Sequence, residues 1–279
     1  MIIRCHGARG SIPVSGRGYL KYGGDTTCME IRSRNDEIII VDAGSGIRRL
    51  GNNLLAEKRF EVNIIFTHSH WDHILGFPFF KPIYDERSTI NLMGCATTQG
   101  DIRMLLQKTM SAPYFPFPFE KLKASIRYAN DCETAFFIDT IQISSIPLSH
   151  PNVGMGFKFT EGDKSFVFLT DNELGYRHRG GKTFEDYLEF SRGADLLIHD
   201  SEFTPEEYAV KRKWGHSAYT DALELALAAG VQQFGLFHHN QDREDESQDE
   251  IVEACRKTIK DRSPGMDCFG LRQEQQIVL

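Results

Sequence analysis

The chain has little cysteine and no CxxC pair: its six cysteines, at positions 5, 28, 95, 132, 255 and 268, are scattered. That pattern argues against a zinc knuckle and a disulfide framework, and reads as reduced thiols. No apolar run approaches the length of a membrane span. Residues 1–7 lack the charged stretch and apolar core of a secretory signal, so the expected location is the cytoplasm. Basic residues are not in excess either, with 32 Lys and Arg against 39 Asp and Glu and a net charge of −7. This disfavours a dedicated nucleic-acid surface. The longest basic cluster, Lys211-Arg212-Lys213, is short and reads as a solvated helix face or loop. Linkers, low-complexity tracts and repeats are missing as well. What remains is 279 residues of ordinary globular composition, 41% hydrophobic and 25% charged, enough for one large α/β domain or two smaller ones.

Short β-rich runs punctuated by Gly and Asp dominate the first half. Strands are expected at 29–32, 37–41 and 62–66, with a helix over 47–58 and another over 98–110. The Pro/Phe-rich segment 112–119 cannot be helical, because proline removes donors and fixes the backbone. Further strands are expected at 126–128, 136–146, 155–160, 165–169, 196–199 and 233–237. The pattern over 219–229 predicts a helix with Thr220 as N-cap and Gly230 as its end. A last helix is expected over 249–260. Strands separated by helices, with polar residues at the strand ends, suggest sheets between helical layers and a site along one edge.

The most informative segment is Thr67-His68-Ser69-His70-Trp71-Asp72-His73, directly after the apolar run 62–66. Imidazole nitrogen and carboxylate oxygen are ligands suited to zinc, manganese and iron. Two histidines at i and i+2 on an extended segment project the same way, which leaves Asp72 and His73, past the turn, to face a second metal. Other candidate ligands share one placement, just after a β run: His150, Asp171, and the adjacent pair His238 and His239. Six or seven such residues are what two metals sharing one site require.

The HxHxDH spacing at 68–73 and the later His and Asp positions resemble the metallo-β-lactamase-fold superfamily over nearly the whole chain. The resemblance implies a single α/β domain, 1–279, folded as a four-layer αββα sandwich. It implies one metal held by His68, His70 and His150, a second by Asp72, His73 and His238, and Asp171 bridging them; His239 is the alternative to His238. Two divalent ions follow, zinc by default for a histidine-rich site, with manganese or iron also compatible. Gly215-His216-Ser217, read as the start of a helix, and Leu197-Ile198-His199-Asp200 resemble the phosphodiesterase branch that contains ribonuclease Z and cyclic-phosphate phosphodiesterases. In ribonuclease Z a Glu usually stands where this chain has Asp200. The implied catalytic residues are Asp72, Asp200 and His216, with His216 positioned by Asp200 to protonate the leaving oxygen and a metal-bridging hydroxide as nucleophile.

Ribonuclease Z carries a tRNA-gripping arm between the third histidine and the bridging aspartate. Here His150 and Asp171 are 21 residues apart, and two expected strands fill the gap. The expected partner is therefore a small-molecule phosphodiester, a cyclic nucleotide or cyclic phosphate, with no membrane and no long tRNA-binding arm; relatives in this branch are often homodimers. The aromatic segments 76–80 and 114–119 either roof the pocket or pack the sheet. Arg177, His178 and Arg179 either meet a phosphate or form an exposed loop. The Gly-rich segments 7–11 and 23–27 are read as structural loops. A thioester or lactone hydrolase on the same metal core, and a noncatalytic metal-bound ligand sensor or accessory protein, are the competing readings.

Overall fold

Ile38-Ile39-Ile40-Val41 is apolar at every position because both faces of its strand are covered. The structure, a computed structural model, describes residues 1–93, 102–129 and 135–279. In the first half of the chain the strands are β1 (Ile2–Gly7), β2 (Cys28–Arg32), β3 (Ile38–Val41), β4 (Glu61–Ile65), β5 (Thr89–Met93) and β6 (Ser125–Ala129). The second half supplies β7 (Ala135–Ile138), β8 (Ile141–Leu148), β9 (Gly154–Glu161), β10 (Lys164–Leu169), β11 (Leu196–Asp200), β12 (Gln233–Phe237), β13 (Asp267–Gly270) and β14 (Gln276–Val278). Two mixed sheets result, ordered β14-β1-β2-β3-β4-β5-β6 and β13-β12-β11-β10-β9-β8-β7.

Alternation along these strands sorts side chains into three apolar layers. Ile39, Val41 and Ile65 of the first sheet meet Phe159, Phe166, Phe168, Ile198 and Phe237 of the second in the central layer. Ile38, Ile40 and Ile64 face outward onto helix α1 (Ile47–Ala56), whose Leu50 and Leu54 are buried there. Helix α2 is the short Trp71–Ile74 segment, and α3 (Ile102–Thr109) covers the same outer face through Ile102 and Leu106. On the other side Val167, Leu169 and Leu197 pack under α4 (Phe184–Ser191), α6 (Tyr219–Ala229) and α7 (Asp245–Arg262). Helix α5 (Pro205–Lys211) is peripheral and buries none of its residues. The layer order is αββα, as expected. Among the described residues no helix is long and apolar enough to cross a membrane.

Strand direction places the site. Neighbours β3 to β6 run parallel, as do β10 to β13. Strand β9 is antiparallel to both β8 and β10, so β8 shares their direction. The carboxyl ends of β3, β4, β8, β10, β11 and β12 lead into Asp42, the 67–73 segment, His150, Asp171, Asp200 and His238. In open α/β sheets that edge is where ligands bind.

Several local expectations are corrected. The run 136–146 is two strands, because Asp139 takes a left-handed φ of 50° and turns the chain into a hairpin. Thr220 does not cap α6. Ala218 does, since Tyr219 N–H donates to Phe203 O at 2.8 Å and that pairing fixes the helix start; no side chain caps it. The helix ends at Gly230, as expected. Consequently Gly215-His216-Ser217 precedes the helix rather than beginning it. The last helix starts at Asp245, where Asp245 and Glu246 complement the helix dipole although the apolar positions begin later. Helices α4 and α5, and strands β1, β5, β13 and β14, were not anticipated. Positions 98–101, Cys95 and Cys132 lie outside the described residues; the other four cysteines are buried free thiols.

Candidate metal centre

Each ligand candidate is delivered by a strand end and held by a specific bond. The segment after β4 is pinned by Asp42, whose carboxylate accepts from Thr67 N–H at 2.8 Å and Thr67 Oγ1 at 2.7 Å. Asp42 Oδ2 also accepts from His73 Nδ1 at 2.7 Å, which frees His73 Nε2 to bind elsewhere. Short helix α2 then presents Asp72 and His73 from one turn. Asp72 Oδ2 accepts the Ser11 N–H at 2.9 Å, so the 7–11 loop supports the site from beneath. On the second sheet, His150 Nδ1 donates to Gly215 O at 2.9 Å. His238 Nδ1 donates to Glu202 Oε2 at 3.0 Å.

Asp171 stands at the middle. Its Oδ2 lies 3.4 Å from His68 Nε2 and 3.7 Å from His150 Nε2. Its Oδ1 lies 3.2 Å from His73 Nε2 and 3.4 Å from His238 Nε2. Two groups result, His68, His70, His150 and Asp171, and Asp72, His73, Asp171 and His238; within each, the ligand atoms fall within 4.8 Å of one another. The seven residues expected as ligands are thus brought together. His239 is not among them: its Nε2 bonds to Leu271 O at 2.8 Å, and its ring lies edge-on to Tyr22. Asp42, Asp171 and His238 all adopt left-handed φ, 64°, 50° and 58°, which aims their side chains off the sheet edge at some backbone cost.

The donor set fits metal ions. His68 Nε2 and His73 Nε2 are buried without a hydrogen-bond partner. His70 Nδ1 and His150 Nε2 face each other at 3.0 Å, a pairing that a shared cation relieves. Burial pushes the His150 imidazole down to about 3, so its nitrogen stays unprotonated and able to coordinate. Burial also drives His68 down, helped by the His73 charge. For His73 and His238 burial acts the same way, but the surrounding carboxylates outweigh it and hold both well above the ordinary value. Burial would raise Asp72 and Asp171, yet the neighbouring imidazoles keep both ionised.

Beside the second group, His216 Nδ1 donates to Asp200 Oδ2 at 2.6 Å, so the shorter Asp side chain reaches. The His216 ring stacks on His238 with centroids 4.6 Å apart. Burial opposes its charged form, but Glu202 and Asp200 prevail and lift it to about 9. Asp200, His216 and His238 also lie close enough to hold an ion. In that third group His216 Nδ1 is already committed to Asp200 Oδ2.

Sequence reasoning missed Asp42, Glu202 and Glu173. Asp42 follows an apolar run as Asp171 does, and that signal was present. Glu173 accepts from Gly215 N–H at 2.8 Å, Lys213 N–H and His178 Nε2 at 2.7 Å each, and Tyr208 OH at 2.8 Å, a role with no sequence mark. The aromatic segments divide. Phe77 and Phe80 are fully buried against α1, whereas Phe79 and Tyr114 are exposed.

Comparison with known proteins agrees with this geometry. Residues 37–239 match the beta-lactamase superfamily domain. Ribonuclease Z of Haloarcula marismortui is 25% identical over 295 residues, covering 90% of this chain and 89% of the relative. The metallo-beta-lactamase fold protein YhfI from Bacillus subtilis superposes with a TM-score of 0.69 at 18% identity, over 99% of this chain and 98% of YhfI. A diphosphatase from the PhnP family superposes with a TM-score of 0.66 at 17% identity, over 100% of this chain and 97% of the diphosphatase.

Proposed function

The chain belongs to the beta-lactamase superfamily and is a metal-dependent hydrolase of the branch that holds ribonuclease Z, and we propose that it cleaves small phosphodiesters such as cyclic nucleotides or cyclic phosphates. His68, His70 and His150 would hold one divalent ion, Asp72, His73 and His238 a second, with Asp171 shared between them. Bound there, such ions supply Lewis acidity toward a phosphoryl oxygen and lower the pKa of water from 15.7 to about 7, providing the hydroxide nucleophile at neutral pH.

The chain's own residues do the rest. Asp42, Glu202 and the Gly215 carbonyl orient the rings of His73, His238 and His150 by accepting a hydrogen bond from each Nδ1–H. Asp200 accepts a hydrogen bond from His216 Nδ1–H in the same way, so the proton His216 can transfer is the one at Nε2. An alkoxide is a poor leaving group, and protonation by such an acid is worth about 10²–10⁴-fold. The Asp200–His216 pair stacked against His238 is the observation that carries this reading, because acyl transfer does not need an acid in this form. Between His150 and Asp171 the chain spends its residues on β9 and β10, which supports a small substrate over a gripped tRNA.

The test is hydrolysis of bis(p-nitrophenyl) phosphate and of 2′,3′- and 3′,5′-cyclic nucleotides by metal-loaded wild type and His216→Ala. p-Nitrophenolate leaves unprotonated, so the substitution should depress cyclic-nucleotide turnover far more than turnover of the activated ester. No turnover of any diester with metal bound would sink the proposal and favour thioester or lactone substrates.

A further inference from the structure

Asp171, Asn172 and Glu173 follow one another past the end of β10, and they are buried to 1%, 0% and 1% exposure. Asp171 belongs to both ligand groups. Its two neighbours belong to neither, yet their polar atoms engage the residues that flank His150 and His216. Ser149, just before His150, is held on both sides of its backbone. Its N–H donates to Asn172 Oδ1 at 2.9 Å, and its carbonyl accepts Glu173 N–H at 2.8 Å. Ser217, just after His216, donates its hydroxyl to Asn172 O at 2.6 Å. Asn172 Nδ2 meets His199 Nε2 at 3.1 Å, and His199 Nδ1 donates to the carbonyl of Asp200, the partner of His216.

Glu173 reaches the other side of His216. Its Oε2 accepts Gly215 N–H at 2.8 Å, and the carbonyl of that same Gly215 accepts His150 Nδ1 at 2.9 Å. Gly215 sits at a φ of 100°, a conformation that needs such fixing from both its peptides. The second carboxylate oxygen, Oε1, accepts Lys213 N–H at 2.7 Å, so one side chain fixes two backbone groups of the loop that delivers His216. His178 Nε2 and Tyr208 OH complete its four donors. A buried carboxylate satisfied four times over is rigid, and it passes that rigidity to whatever it holds.

We propose that Glu173 is a positioning residue that acts through Gly215 on two centres together, the His150 ring that faces the first ligand group and the His216 acid beside the second. Asn172 is its companion, anchoring Ser149 and Ser217. The segment that carries the shared carboxylate Asp171 thereby also sets where the acid stands relative to it. The role toward His216 rests on the phosphodiesterase reading; the role toward His150 does not.

Glu173→Gln keeps the shape and removes one acceptor. Whichever way its amide turns, the buried N–H of Lys213 or of Gly215 then faces an NH₂ group, and the loop must shift. Two readouts on the zinc-loaded protein test the role. The first is turnover of a 2′,3′- or 3′,5′-cyclic nucleotide, whichever the wild type cleaves faster, divided by turnover of bis(p-nitrophenyl) phosphate. That ratio should fall about tenfold or more, because only the cyclic ester needs the acid in place. In a His216→Ala background the same substitution should leave the ratio unchanged, as residues acting through one another are nonadditive. A merely structural role would lower both turnovers together and leave the ratio alone in either background.

The second readout is zinc affinity by competition with a chromophoric chelator, which should drop by about 10–100-fold for one of the two ions. Tyr208→Phe, which removes a Glu173 donor outside the 213–215 loop, should alter neither readout. Where circular dichroism shows Glu173→Gln unfolded, Ser217→Ala, which removes the bond to Asn172 O, should lower the ratio in the same direction, and an unchanged ratio there overturns the role toward His216. In folded Glu173→Gln an unchanged ratio overturns the role toward His216, and unchanged zinc affinity overturns the role toward His150. Equal effects from Tyr208→Phe overturn both. A wild type that cleaves no diester sinks the phosphodiesterase reading, and the zinc measurement alone then decides the role of Glu173.

Discussion

Asp42 and His73 are joined by a 2.7 Å hydrogen bond across 31 residues of sequence, and both side chains are fully buried. One bond thus ties the end of β3 to the segment after β4 and sets which nitrogen of His73 faces Asp171. Supporting carboxylates of this kind typically change metal affinity by about 10–100-fold when removed. Asp42→Asn should therefore lower metal affinity by that order while the protein still folds, as competition with a chromophoric chelator would read. Unchanged affinity would show that the ring is held by packing alone.

Gly215 has a φ of 100°, and a Cβ there would stand 2.2 Å from His150 Nδ1. Gly215→Ala should strain the backbone and displace the His150 ring together. The expected result is loss of one bound metal per chain by elemental analysis, with diester turnover reduced by about tenfold or more, since His150 contributes to one of the two groups. Full metal content and full turnover would refute the assignment.

Removing metal should destabilise the protein measurably. An ion that binds only the folded state adds about 2.7 kcal/mol at a hundredfold excess over its dissociation constant. Dialysis against a chelator should lower Tm by several degrees, and adding back zinc or manganese should restore it. Asp171→Asn should show a smaller response, because the residue both groups share has lost its charge.

The pair His6–Glu30 predicts a pH window away from the metal centre. Burial disfavours the charged His6 ring, but Glu274 and Glu30, the latter at 2.9 Å, outweigh it and raise the His6 pKa above its ordinary value of about 6.5. Burial disfavours ionised Glu30 too, and His6 with Arg32 prevails to lower its pKa. A raised histidine contributes stability that is complete below about 6.5 and fades as pH climbs through its folded pKa. A lowered glutamate contributes stability that is complete above about 4.3 and fades as pH drops through its folded pKa. The pair's contribution is therefore greatest between those values. Glu30→Gln should flatten the Tm–pH profile in that range and lower the His6 pKa in an NMR titration; an unshifted His6 would contradict the coupling.

Much of the site was legible because its residues occupy strand ends, and strand ends announce themselves as apolar runs stopping at a polar residue. His68, His70, Asp72 and His73 lie within six positions, so no long-range information was needed to group them. His150, Asp171 and His238 followed from the same local signal. The choice between His238 and His239 did not, because it depends on a left-handed φ at His238 and on Leu271, a distant partner of His239. Glu202 and Glu173 were illegible for a similar reason: a buried glutamate in a loop has the same local sequence context as a solvated one. The hairpin at Asp139 was missed because apolar residues resume immediately after the turn. Strand β14 was missed because its three residues are recruited by β1 from the other end of the chain.

Each of the two ligand groups draws on both sheets: His68 and His70 meet His150 and Asp171, and Asp72 and His73 meet Asp171 and His238. Residues 80 to 166 positions apart in sequence, such as His70 with His150 and Asp72 with His238, must therefore arrive together. Neither half of the chain holds a complete group, so a complete group requires the pairing of distant segments, which is slow in folding. An ion held in either group would fasten one sheet to the other, and the sandwich could not then part at that edge without first releasing it. The rate of metal escape would then be a clock for the opening of the molecule.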